Sequence, residues 1–429
     1  MEDMGLIEVR NLILGAGIAG LATAQRLKEI NQDFIIIEKE NKYGGLCSSY
    51  SLEGFTFDHF IHMSFTTNDF VRKYLDVTPY YSFEPNPFNY YHGIWIKHPA
   101  INNLYPLSEK EKEKILEGLK ERKKYECCYT DSYEMWLRYQ FGDYFAEHFP
   151  LSYTRKYWAE EASNMETNWI GSRVYQPTMD EIFSGMKTAE TPVTYYAKEM
   201  RYPKNGGFSE YLKNFAYPEF MKLNETVVGI DTENCIVETD KDIYHYHTLF
   251  SSIPLPEMGD ILKNEGLRNI VKDLHWTSGY IVSIGVTGEL QRSDLWDYIY
   301  DEDIAISRFY SPSLMSPQTA PEGFSSVQAE IYTKDGKRVE DEELLLQQVI
   351  EQLEKIGVID KANVCLRDIR FSKYCNILFD HKVYDSKKDA LKILKEKKII
   401  PIGRFGRWEY LWSDQAFMSG YEAVLKQKI

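Results

Sequence analysis

A glycine-rich turn near the start of the chain constrains the fold more than any other feature. Residues Gly15–Gly20 read GAGIAG, which is a GxGxxG motif. The apolar run Val9–Leu14 before it predicts a buried strand, and the segment LATAQRLKEI after it has the spacing of a helix. A second apolar run, Phe34–Ile37, ends at Glu38. The order of these segments predicts a β-α-β unit of the dinucleotide-binding type.

The residue types in this turn suit a bound dinucleotide. Gly15 allows a tight turn, Gly17 lets the backbone approach a pyrophosphate, and Gly20 allows the helix to pack closely on the strand. The pyrophosphate would lie against the free amides at the start of the helix. A carboxylate at Glu38 can accept hydrogen bonds from ribose hydroxyls, and it would repel a 2′-phosphate. The sequence therefore favours an adenine dinucleotide without that phosphate.

A second pair of glycines favours a flavin cofactor over a nicotinamide cofactor. Gly44 and Gly45 follow Glu38 in a pattern, ExxxxxGG[RL], that resembles the second half of the FAD-binding fingerprint of amine oxidases and glutathione-reductase-like enzymes. These glycines would let the chain pass close to the ribityl and pyrophosphate groups. A nicotinamide dehydrogenase has no use for this element, so FAD is the expected cofactor. The alternative interpretation is an ordinary turn after the second strand.

The C-terminal segment Pro401–Val424 supplies a third element of the predicted cofactor site. A short strand and a Gly-Arg turn would bring Gly403 and Arg404 toward the pyrophosphate. Ser413 or Asp414 would then cap a helix whose first amides face the pyrimidine edge of the flavin and favour its anionic reduced form, FADH⁻. The cofactor-binding residues predicted in these segments are Gly15, Gly17, Ile18, Ala19, Gly20, Glu38, Lys39, Gly45, Leu46, Gly403, Arg404, Asp414, Gln415 and Met418.

The remaining chain divides into a helical part and a mixed part. Residues 108–187 read as helical, and capping-box pairs occur at Ser108 with Glu111 and at Thr178 with Glu181. Among the later segments, 243–254, 280–290 and 325–333 have residue patterns typical of strands. The segments 343–357 and 388–397 have the spacing of helices.

The predicted fold class is therefore α/β. It consists of a discontinuous Rossmann-type FAD-binding domain, a helical insertion domain and a substrate-binding domain with a mixed sheet. The expected ranges are 1–65, 203–255 and 398–429 for the first, 106–187 for the second, and 66–105, 188–202 and 256–397 for the third.

Charge and cysteine content limit the class of partner. The formal net charge is −15, which argues against nucleic-acid binding, since that needs a basic surface. The sequence has no run of about 18 apolar residues and no signal peptide, so we expect no membrane insertion and a cytoplasmic location. The cysteines form no CxxC pair, and the pairs His59 with His62 and His245 with His247 lack companions at ligand spacing, so no metal site is expected.

Tyrosine is unusually frequent, with 32 residues against 22 phenylalanines. Tyrosines in such number suit a cleft that is apolar yet offers hydroxyl groups, as a flat ring or a sugar requires. A tyrosine-rich structural core accounts for the same composition, so both interpretations stay open from the sequence.

Beyond the cofactor elements, the sequence resembles the UDP-galactopyranose mutase family, in particular its longer eukaryotic-type branch. The FAD elements are shared with oxidases and desaturases, whereas the matching segments in the middle of the chain are more diagnostic. The resemblance extends with gaps over nearly the whole chain, and its segments are GAGIAGL, GGL at Gly44–Leu46, FDHFIH at Phe57–His62, HPAINN at His98–Asn103, WIGSRV at Trp169–Val174, RYPKNGGFSEYL at Arg201–Leu212, LWDYIYDEDIAISR at Leu295–Arg308 and GRFGRWEY at Gly403–Tyr410.

The resemblance implies a substrate site for a diphosphate. Trp296, Tyr298 and Arg308 match a Trp-x-Tyr pair and a following arginine that line the substrate site of the family. Arg173 and Tyr410 resemble its second diphosphate-contacting arginine and its diphosphate-contacting tyrosine. An arginine presents a planar fork to phosphate oxygens, and a tyrosine hydroxyl donates without adding charge. Taken singly, each arginine could equally form a surface salt bridge.

Further roles follow from the same resemblance. His62 matches a histidine on a loop beside the isoalloxazine ring, and so counts as a cofactor contact, although a satisfied core histidine is the alternative. Val227 matches a residue whose backbone meets the adenine, and Tyr374 matches a late tyrosine of the substrate site. The predicted catalytic residues are His62, Arg173, Arg308 and Tyr410, and the predicted substrate-binding residues are Trp296, Tyr298, Tyr374 and Asn103.

The chain departs from the family pattern near these residues. Phe60 and Ile61 stand where the family has two glycines before its histidine, so this loop should be stiffer or the flavin face differently packed. Cys375 follows Tyr374 where the family has proline. Ile101 replaces a polar residue on the uracil side, which leaves the nucleotide and the sugar open.

The resemblance implies a flavin-dependent mutase, an isomerase of polysaccharide biosynthesis that interconverts the pyranose and furanose forms of a UDP-galactose-like nucleotide sugar. In the family, N5 of the reduced flavin forms an adduct with the anomeric carbon while the nucleotide diphosphate leaves, and NAD(P)H would bind transiently as reductant. The absence of a Ser/His/Asp or Cys/His nucleophile pattern agrees with that chemistry. The alternatives are an FAD-dependent oxidase or desaturase of the amine-oxidase or protoporphyrinogen-oxidase type, and a non-catalytic flavoprotein. The sequence sets no oligomeric state.

Overall fold

The computed structural model describes residues 5–171 and 173–426. Its strands form two seven-stranded sheets and two short two-stranded ones. The strands are β1 Leu6–Leu14, β2 Phe34–Ile37, β3 Ser49–Leu52, β4 Phe55–Asp58, β5 Tyr80–Phe83, β6 Phe88–Tyr91, β7 Ile94–Lys97, β8 Met200–Pro203, β9 Met221–Lys222, β10 Val227–Asp231, β11 Ile236–Thr239, β12 Ile243–Ser251, β13 Trp276–Thr287, β14 Trp296–Ile299, β15 Arg308–Tyr310, β16 Phe324–Lys334, β17 Val364–Ile377 and β18 Ile399–Pro401.

The longest helical stretch of the described residues lies between β7 and β8. A π-helical segment, Glu147–Leu151, joins two helices within that stretch. The α-helices of the described residues are α1 Ile18–Glu29, α2 Asp69–Leu75, α3 Glu109–Glu121, α4 Tyr133–Phe141, α5 Asp143–Ala146, α6 Ser152–Tyr157, α7 Met179–Lys187, α8 Met258–Ile261, α9 Glu265–Val271, α10 Pro312–Met315, α11 Glu342–Lys355, α12 Val383–Glu396, α13 Gly403–Arg407 and α14 Ser413–Leu425.

The first sheet is built around β1. This strand pairs in parallel with β2 on one side and with β12 on the other, where Leu12 lies opposite Leu249. β9 extends the sheet beyond β2, while β18 and the hairpin-like pair β11 and β10 extend it beyond β12. β2 consists of four apolar residues, which is typical of a parallel strand that is covered on both faces.

Two helices that are far apart in the sequence pack together against this sheet. α1 and α14 approach so closely that a Cβ atom on Gly420 would lie 2.0 Å from the carbonyl oxygen of Ala19. Gly20 serves the same purpose on the strand side, because a Cβ atom there would lie 2.0 Å from the carbonyl oxygen of Gly15. These two glycines therefore let early and late segments of the chain form one unit.

The second sheet is largely antiparallel and has the strand order β17-β13-β16-β15-β14-β6-β7. The apolar side chains on one of its faces form a core with α11, in which Leu346, Val349 and Leu353 are buried. Because strand side chains alternate between faces, the residues Arg308 and Glu330, which are partners across β15 and β16, lie on the other face. That face is the floor of the cleft described below.

Helices α3–α7 form a separate helical part. The capping boxes predicted at Ser108 with Glu111 and at Thr178 with Glu181 are both present. α6 is fixed to the second sheet by Lys156, whose Nζ donates to two carbonyl oxygens at 2.8 Å, those of Ile299 and Asp301. This contact places the neighbouring residue Tyr157 beside the sheet.

The architecture agrees with the α/β class predicted from the sequence. β2 has the predicted bounds, and the other strand and helix patterns correspond to β12, β13, β16, α11 and α12. The strands of the first sheet all lie within 1–65, 203–255 and 398–429, and those of the second lie within 66–105 and 256–397. The boundaries of the three domains stay a prediction.

Two local predictions near the C-terminus are wrong. The Gly-Arg turn is instead the first turn of a short helix, α13. The N-cap residue of α14 is Trp412 rather than Ser413 or Asp414, because the helix already begins at Ser413. The Trp412 amide donates to the side chain of Gln415 at 2.9 Å, which satisfies the cap from within the helix.

Two properties of the described residues concern membranes and metals. None of the helices in 5–171 and 173–426 is long and apolar enough to cross a membrane. The same residues contain no group of three or more His, Cys, Asp or Glu side chains placed to hold a metal ion.

Gly420→Ala should destabilise the fold. The added Cβ atom would collide with the Ala19 carbonyl, so α1 and α14 must separate, at a cost of about 2 kcal/mol. Chemical denaturation measures the free energy of unfolding. Gly266→Ala in α9, where the added atom meets only the Asn264 side chain at 3.4 Å, should leave that free energy unchanged or raise it. Equal losses in both variants would contradict the packing argument.

Candidate functional site

The principal cleft lies between the carboxyl edge of the first sheet, the polar face of the second sheet and the helical part. Its empty volume, open solvent included, is about 980 Å³. It is lined by Leu46, Phe60, Ile61, His62, Met63, Phe65, Tyr157, Tyr195, Tyr196, Met200, Trp296, Arg308, Tyr332, Cys375, Asn376, Arg404, Tyr410, Trp412 and Ser413. Six of the predicted site residues are among them: Leu46, His62, Trp296, Arg308, Arg404 and Tyr410.

Tyrosine hydroxyls provide much of the polarity of this cleft. Burial raises the pKa of Tyr157, Tyr195 and Tyr332 well above the usual range, so these phenols stay neutral and can donate hydrogen bonds. Tyr195 and Tyr196 are joined through their hydroxyls at 3.2 Å. Part of the high tyrosine content therefore serves a cleft, while other tyrosines, such as Tyr244 in the first sheet, are buried in the core.

Arg308 is held in place by a buried carboxylate. Its Nε and Nη2 atoms lie 2.8 and 2.6 Å from Glu330 Oε2. The side chain of Glu330 is fully buried, and that of Arg308 is 16% exposed. The hydroxyl of Tyr332 also donates to Glu330, at 2.8 Å. The pairing uses one edge of the guanidinium group, which leaves the edge that contains Nη1 directed away from Glu330.

Arg404 brings a second guanidinium group to the cleft wall. It donates to backbone carbonyls, to Leu411 O from Nε at 2.9 Å and to Cys375 O from Nη1 at 3.0 Å, and also to Asn376 Oδ1 at 3.2 Å. Within the described residues it forms no ion pair with a carboxylate. Its charge is therefore oriented but not neutralised.

Arg173 lies one layer outside the cleft lining. Its guanidinium carbon is 4.6 Å from the ring centroid of Tyr410 and 5.0 Å from that of Trp412, two residues that do line the cleft. Nη2 donates to the Tyr410 carbonyl at 2.9 Å. Burial lowers the pKa of Arg173, and the nearby Arg404 charge acts in the same direction. In this conformation Arg173 supports the rings of the cleft rather than facing its interior.

His62 is half-buried and neutral. Its ring packs on Phe208 with the centroids 5.1 Å apart, and Nδ1 lies 3.1 Å from the carbonyl oxygen of Phe60. Burial, together with the positive charges of Arg404 and Arg308, lowers the pKa of His62 to about 4. A neutral imidazole is thus placed on the cleft wall at physiological pH.

Trp296 and Tyr298 lie on β14 next to Arg308. The indole Nε1 of Trp296 donates to the Tyr298 hydroxyl at 3.2 Å, and that hydroxyl lies 3.0 Å from the Tyr195 hydroxyl. Tyr298 is the cross-strand partner of Arg308. Trp296 lines the cleft directly, and Tyr298 reaches it through these hydroxyl contacts.

Two predicted substrate residues are not brought to the cleft. The ring of Tyr374 packs on Trp276 and Phe405, with centroids 4.8 and 5.6 Å apart, because alternation along β17 places Cys375 on the cleft side instead. Asn103 is buried, and its amide is used within the fold, where Nδ2 donates to the Pro99 carbonyl at 2.8 Å. Neither side chain lines the cleft in this conformation, and the assignment of both residues as substrate contacts stays a prediction.

The glycine turns form an open groove beside the cleft. Gly17 is the N-cap residue of α1, and a Cβ atom on it would meet no atom within 4 Å. Gly45 passes close by, since a Cβ atom there would lie 3.4 Å from the Gly17 Cα. The amides of Ile18 and Ala19 stand in the first turn of α1, where helical amides lack intrahelical acceptors. This open, amide-rich turn fits a pyrophosphate.

Glu38 closes one end of the groove. One of its oxygens accepts from the Ala16 amide at 2.7 Å and the other from the Glu40 amide at 3.0 Å. Burial raises its pKa. Lys39 beside it is exposed, and Val227 lies nearby, because the Glu225 amide two residues earlier donates to the Glu38 carbonyl at 3.0 Å. Glu38, Lys39 and Val227 thus lie close together, and their role in binding the adenosine end of a cofactor stays a prediction.

The C-terminal elements close the other end. A Cβ atom on Gly403 would lie 3.0 Å from Ala19, so α13 starts against the dinucleotide turn. Asp414, in the first turn of α14, accepts from the Thr66 hydroxyl at 2.7 Å. Gln415 and Met418, however, line a second, open pocket, as Asp414 also does. They are not among the residues that line the main cleft.

Several cleft residues were not identified from the sequence. Tyr157, Tyr196 and Trp412 line the cleft, and the buried Glu330 supports Arg308 from behind; the four come from separate segments, and only the folded chain brings them together. A signal for Glu330 was present, since Gln328 and Glu330 alternate with apolar residues along β16, and polar residues on one face of a buried strand indicate a polar site.

Comparisons with known proteins support this architecture. A model of the NAD(P)-binding Rossmann-like domain matches residues 13–77. The crystal structure of a reduced UDP-galactopyranose mutase superimposes with a TM-score of 0.90 and 22% identity, over 97% of this chain and 94% of that one. The fold is that of UDP-galactopyranose mutase.

Other relatives share less. A protein from Exiguobacterium sp. 255-15, provisionally named a protoporphyrinogen oxidase, has a TM-score of 0.74 and 17% identity over 99% of this chain and 100% of its own. A redesigned putrescine oxidase has a TM-score of 0.68 and 13% identity over 98% and 99%. Both are more distant in structure than the UDP-galactopyranose mutase.

Among curated sequences, an uncharacterized protein encoded in the nifH2 3′ region of Methanothermococcus thermolithotrophicus is 36% identical over 58 residues. That match covers 14% of this chain, and the chain spans about half the length of that relative, 56%.

The stability of the protein should fall as the pH falls from about 6.5 toward 4. Burial lowers the pKa of His59 and His62 to about 4 and that of His98 to about 3, whereas an unfolded histidine titrates near ~6.5. Between these values the unfolded chain binds more protons, so acid favours unfolding. Urea denaturation at a series of pH values gives the slope of the free energy of unfolding against pH.

This slope is proportional to the number of extra protons that the unfolded chain binds. His62→Gln should lower that number by up to one, because carboxylates titrate equally in both proteins. His247→Gln, at an exposed position, is the matched control. A slope that is the same in the wild type and in His62→Gln would show that His62 titrates normally in the native state.

Proposed function

We propose that this protein is a flavin-dependent mutase that interconverts the pyranose and furanose forms of a nucleotide-diphosphate sugar, with UDP-galactose as the candidate substrate. The observation that carries the proposal is the position of two guanidinium groups, those of Arg308 and Arg404, in a tyrosine-lined cleft that opens beside a dinucleotide-binding turn. Neither the apolar nor the amine substrates of related oxidases call for two such groups.

The proposed cofactor is FAD, which the groove fits at several points. The open turn at Gly17 and Gly45 accommodates a pyrophosphate, and Glu38 can reach ribose hydroxyls. The N-terminus of α14 faces the cleft at Ser413, where a helix dipole stabilises negative charge. That arrangement suits an anionic reduced flavin. In the reduced state, bound flavin would supply the nucleophile that displaces the diphosphate from the anomeric carbon.

The residues of the chain would bind and orient the substrate. Arg308 can direct its free edge to the diphosphate, and Arg404 adds a positive charge that backbone carbonyls hold in place. Holding the leaving diphosphate close would keep its effective concentration high for the return step. The hydroxyls of Tyr157, Tyr196 and Tyr410 would donate hydrogen bonds to sugar or phosphate oxygens.

His62 would contribute as a neutral group. Because its pKa is lowered to about 4, it would present an uncharged nitrogen rather than a proton donor of imidazolium type. Arg173, behind Tyr410 and Trp412, would support the rings that close the site. An external reductant of NAD(P)H type, a cytoplasmic location and a role in polysaccharide biosynthesis belong to this proposal as well.

A second candidate is an FAD-dependent oxidase or desaturase. The observation in its favour is the Arg308–Glu330 pair, which leaves this part of the cleft less cationic than an unpaired arginine would. One experiment separates the two candidates, because a mutase needs the reduced flavin but consumes no electrons, whereas an oxidase passes electrons from its substrate to the oxidised flavin, which oxygen then reoxidises.

We expect turnover of UDP-galactopyranose only with reduced protein. The purified flavoprotein is incubated anaerobically with the nucleotide sugar, with and without dithionite, and the products are separated by chromatography. Formation of the furanose isomer in the reduced sample alone, with the flavin still reduced at the end, supports the mutase. Reduction of the oxidised flavin by the nucleotide sugar in the sample without dithionite, with no isomer formed, would support the oxidase candidate instead.

Arg308→Lys should weaken the binding of UDP by about 10- to 100-fold, since a charge-assisted hydrogen bond contributes about 1.5–3 kcal/mol. Lysine keeps a cation beside Glu330 but lacks the planar fork. UDP affinity is measured by calorimetry, and flavin content by absorbance at constant protein concentration. Arg338→Lys, at a position 60% exposed, is the matched control. Unchanged UDP affinity in Arg308→Lys would refute the assignment of the diphosphate site.

A further inference from the structure

The segment that leads into His62 is attached to one face of β16. Asp58 and Gln328 exchange two hydrogen bonds, from the Asp58 amide to Gln328 Oε1 at 3.1 Å and from Gln328 Nε2 to the Asp58 carbonyl at 3.0 Å. The Ile61 amide donates to Glu330 Oε1 at 2.8 Å. The ring of Phe60 stacks on Tyr332, with the centroids 5.7 Å apart. Gln328, Glu330 and Tyr332 alternate along the strand, so they project from the same face.

Phe60 shows that this segment needs such support. Its φ angle is 64°, in the left-handed region that bulky residues rarely adopt, and such conformations persist only where the surroundings enforce them. The ring is buried and fills the space over Gly279, where a Cβ atom would lie 3.1 Å from it. The residue that stands in place of a flexible glycine thus anchors the segment to the sheet.

Glu330 links this segment to the arginine of the cleft. The same carboxylate that accepts from the Ile61 amide also binds the Arg308 guanidinium and the Tyr332 hydroxyl. A carboxylate has about four acceptor positions, so one buried group can satisfy all of these donors. Displacing Glu330 would therefore disturb both Arg308 and the backbone next to His62.

We propose that Glu330 is a positioning residue that fixes Arg308 and the His62 segment relative to each other. Its charge keeps the guanidinium fork in one orientation, and its second oxygen holds the backbone at Ile61. The proposal rests on the proposed function only where it places a flavin beside His62 and a diphosphate beside Arg308. The mechanical link itself depends on neither ligand.

Hydrogen exchange tests the link directly. The double variant Arg308→Met with Glu330→Met removes the ion pair as a whole, which avoids an unpaired buried charge and should preserve the fold. Without the carboxylate, the Ile61 amide loses its acceptor, and its exchange rate should rise at least tenfold. The single variant Glu330→Gln provides a second measurement, since one amide oxygen cannot accept from all three donors. Wild-type exchange at Ile61 in both variants would overturn the proposal.

Flavin spectroscopy and UDP binding separate positioning from a general effect on stability. Asp297→Asn is the matched control, because Asp297 is also a fully buried carboxylate paired with an arginine, Arg292 at 3.0 Å, on the same sheet. In the FAD-loaded protein, Glu330→Gln should shift both the midpoint of flavin reduction and the UDP dissociation constant, the latter at least threefold. Asp297→Asn should lose stability and change neither. Equal effects in the two variants would show that Glu330 acts only through stability.

The outcomes also distinguish failure of the proposed mutase function from failure of the proposed positioning role of Glu330. If the wild-type protein neither binds UDP nor converts UDP-galactopyranose, while Ile61 exchange rises in the double variant, then the proposed function fails and the positioning role stands. If turnover is observed but the Ile61 exchange rate is unaffected by either variant, then the function stands and the positioning role fails.

Discussion

The parallel pairing of β1 with its two neighbours is the constraint on which the rest of the structure depends. It brings the carboxyl ends of β1, β2, β12 and β18 to one edge of the first sheet, and the segments that follow these strands meet there. The Ser252 hydroxyl donates to the Leu14 carbonyl at 2.9 Å, and Gly403 lies against Ala19. Ligand sites of open parallel sheets form at this edge, so one pairing pattern assembles the cofactor groove from distant segments.

The cleft exists because a second sheet presents a polar face to this edge. Burying the Arg308–Glu330 pair costs desolvation energy that the ion pair repays only in good geometry. Here the carboxylate also satisfies a backbone amide and a phenol. A fully satisfied network of this kind favours one arrangement of side chains over others, which is what a binding site for a rigid, charged ligand requires.

The parts of the fold that follow local rules could be predicted from the sequence. The glycine turn, the apolar β2 and the capping boxes each depend on neighbouring residues, and the structure contains them all. The full cleft could not be predicted, because it depends on the register between strands. Whether Tyr374 or Cys375 faces the ligand is decided by the alternation along β17, and a shift of one residue reverses the answer.

The resemblance supplied most of the long-range information. It identified Trp296, Arg308 and Tyr410, which all line the cleft, but it gave no indication of Glu330, on which Arg308 depends. The supporting residues of a site are recognised less easily than the contact residues, because they are defined by what they touch in three dimensions. Asn103, a polar residue in a matching segment, was predicted to contact the substrate, whereas in the folded chain its amide donates to a backbone carbonyl.

The position of Cys375 has a consequence for the durability of the protein. Reduced flavins react with oxygen to give peroxide, and peroxide oxidises cysteine through the thiolate form. Burial raises the pKa of Cys375 well above the usual range, so its sulfur remains protonated on the cleft wall. The exposed Cys127, in the helical part, would meet an oxidant from solution first. Cys375 should therefore react slowly with the peroxide that a reduced flavin would release into the cleft.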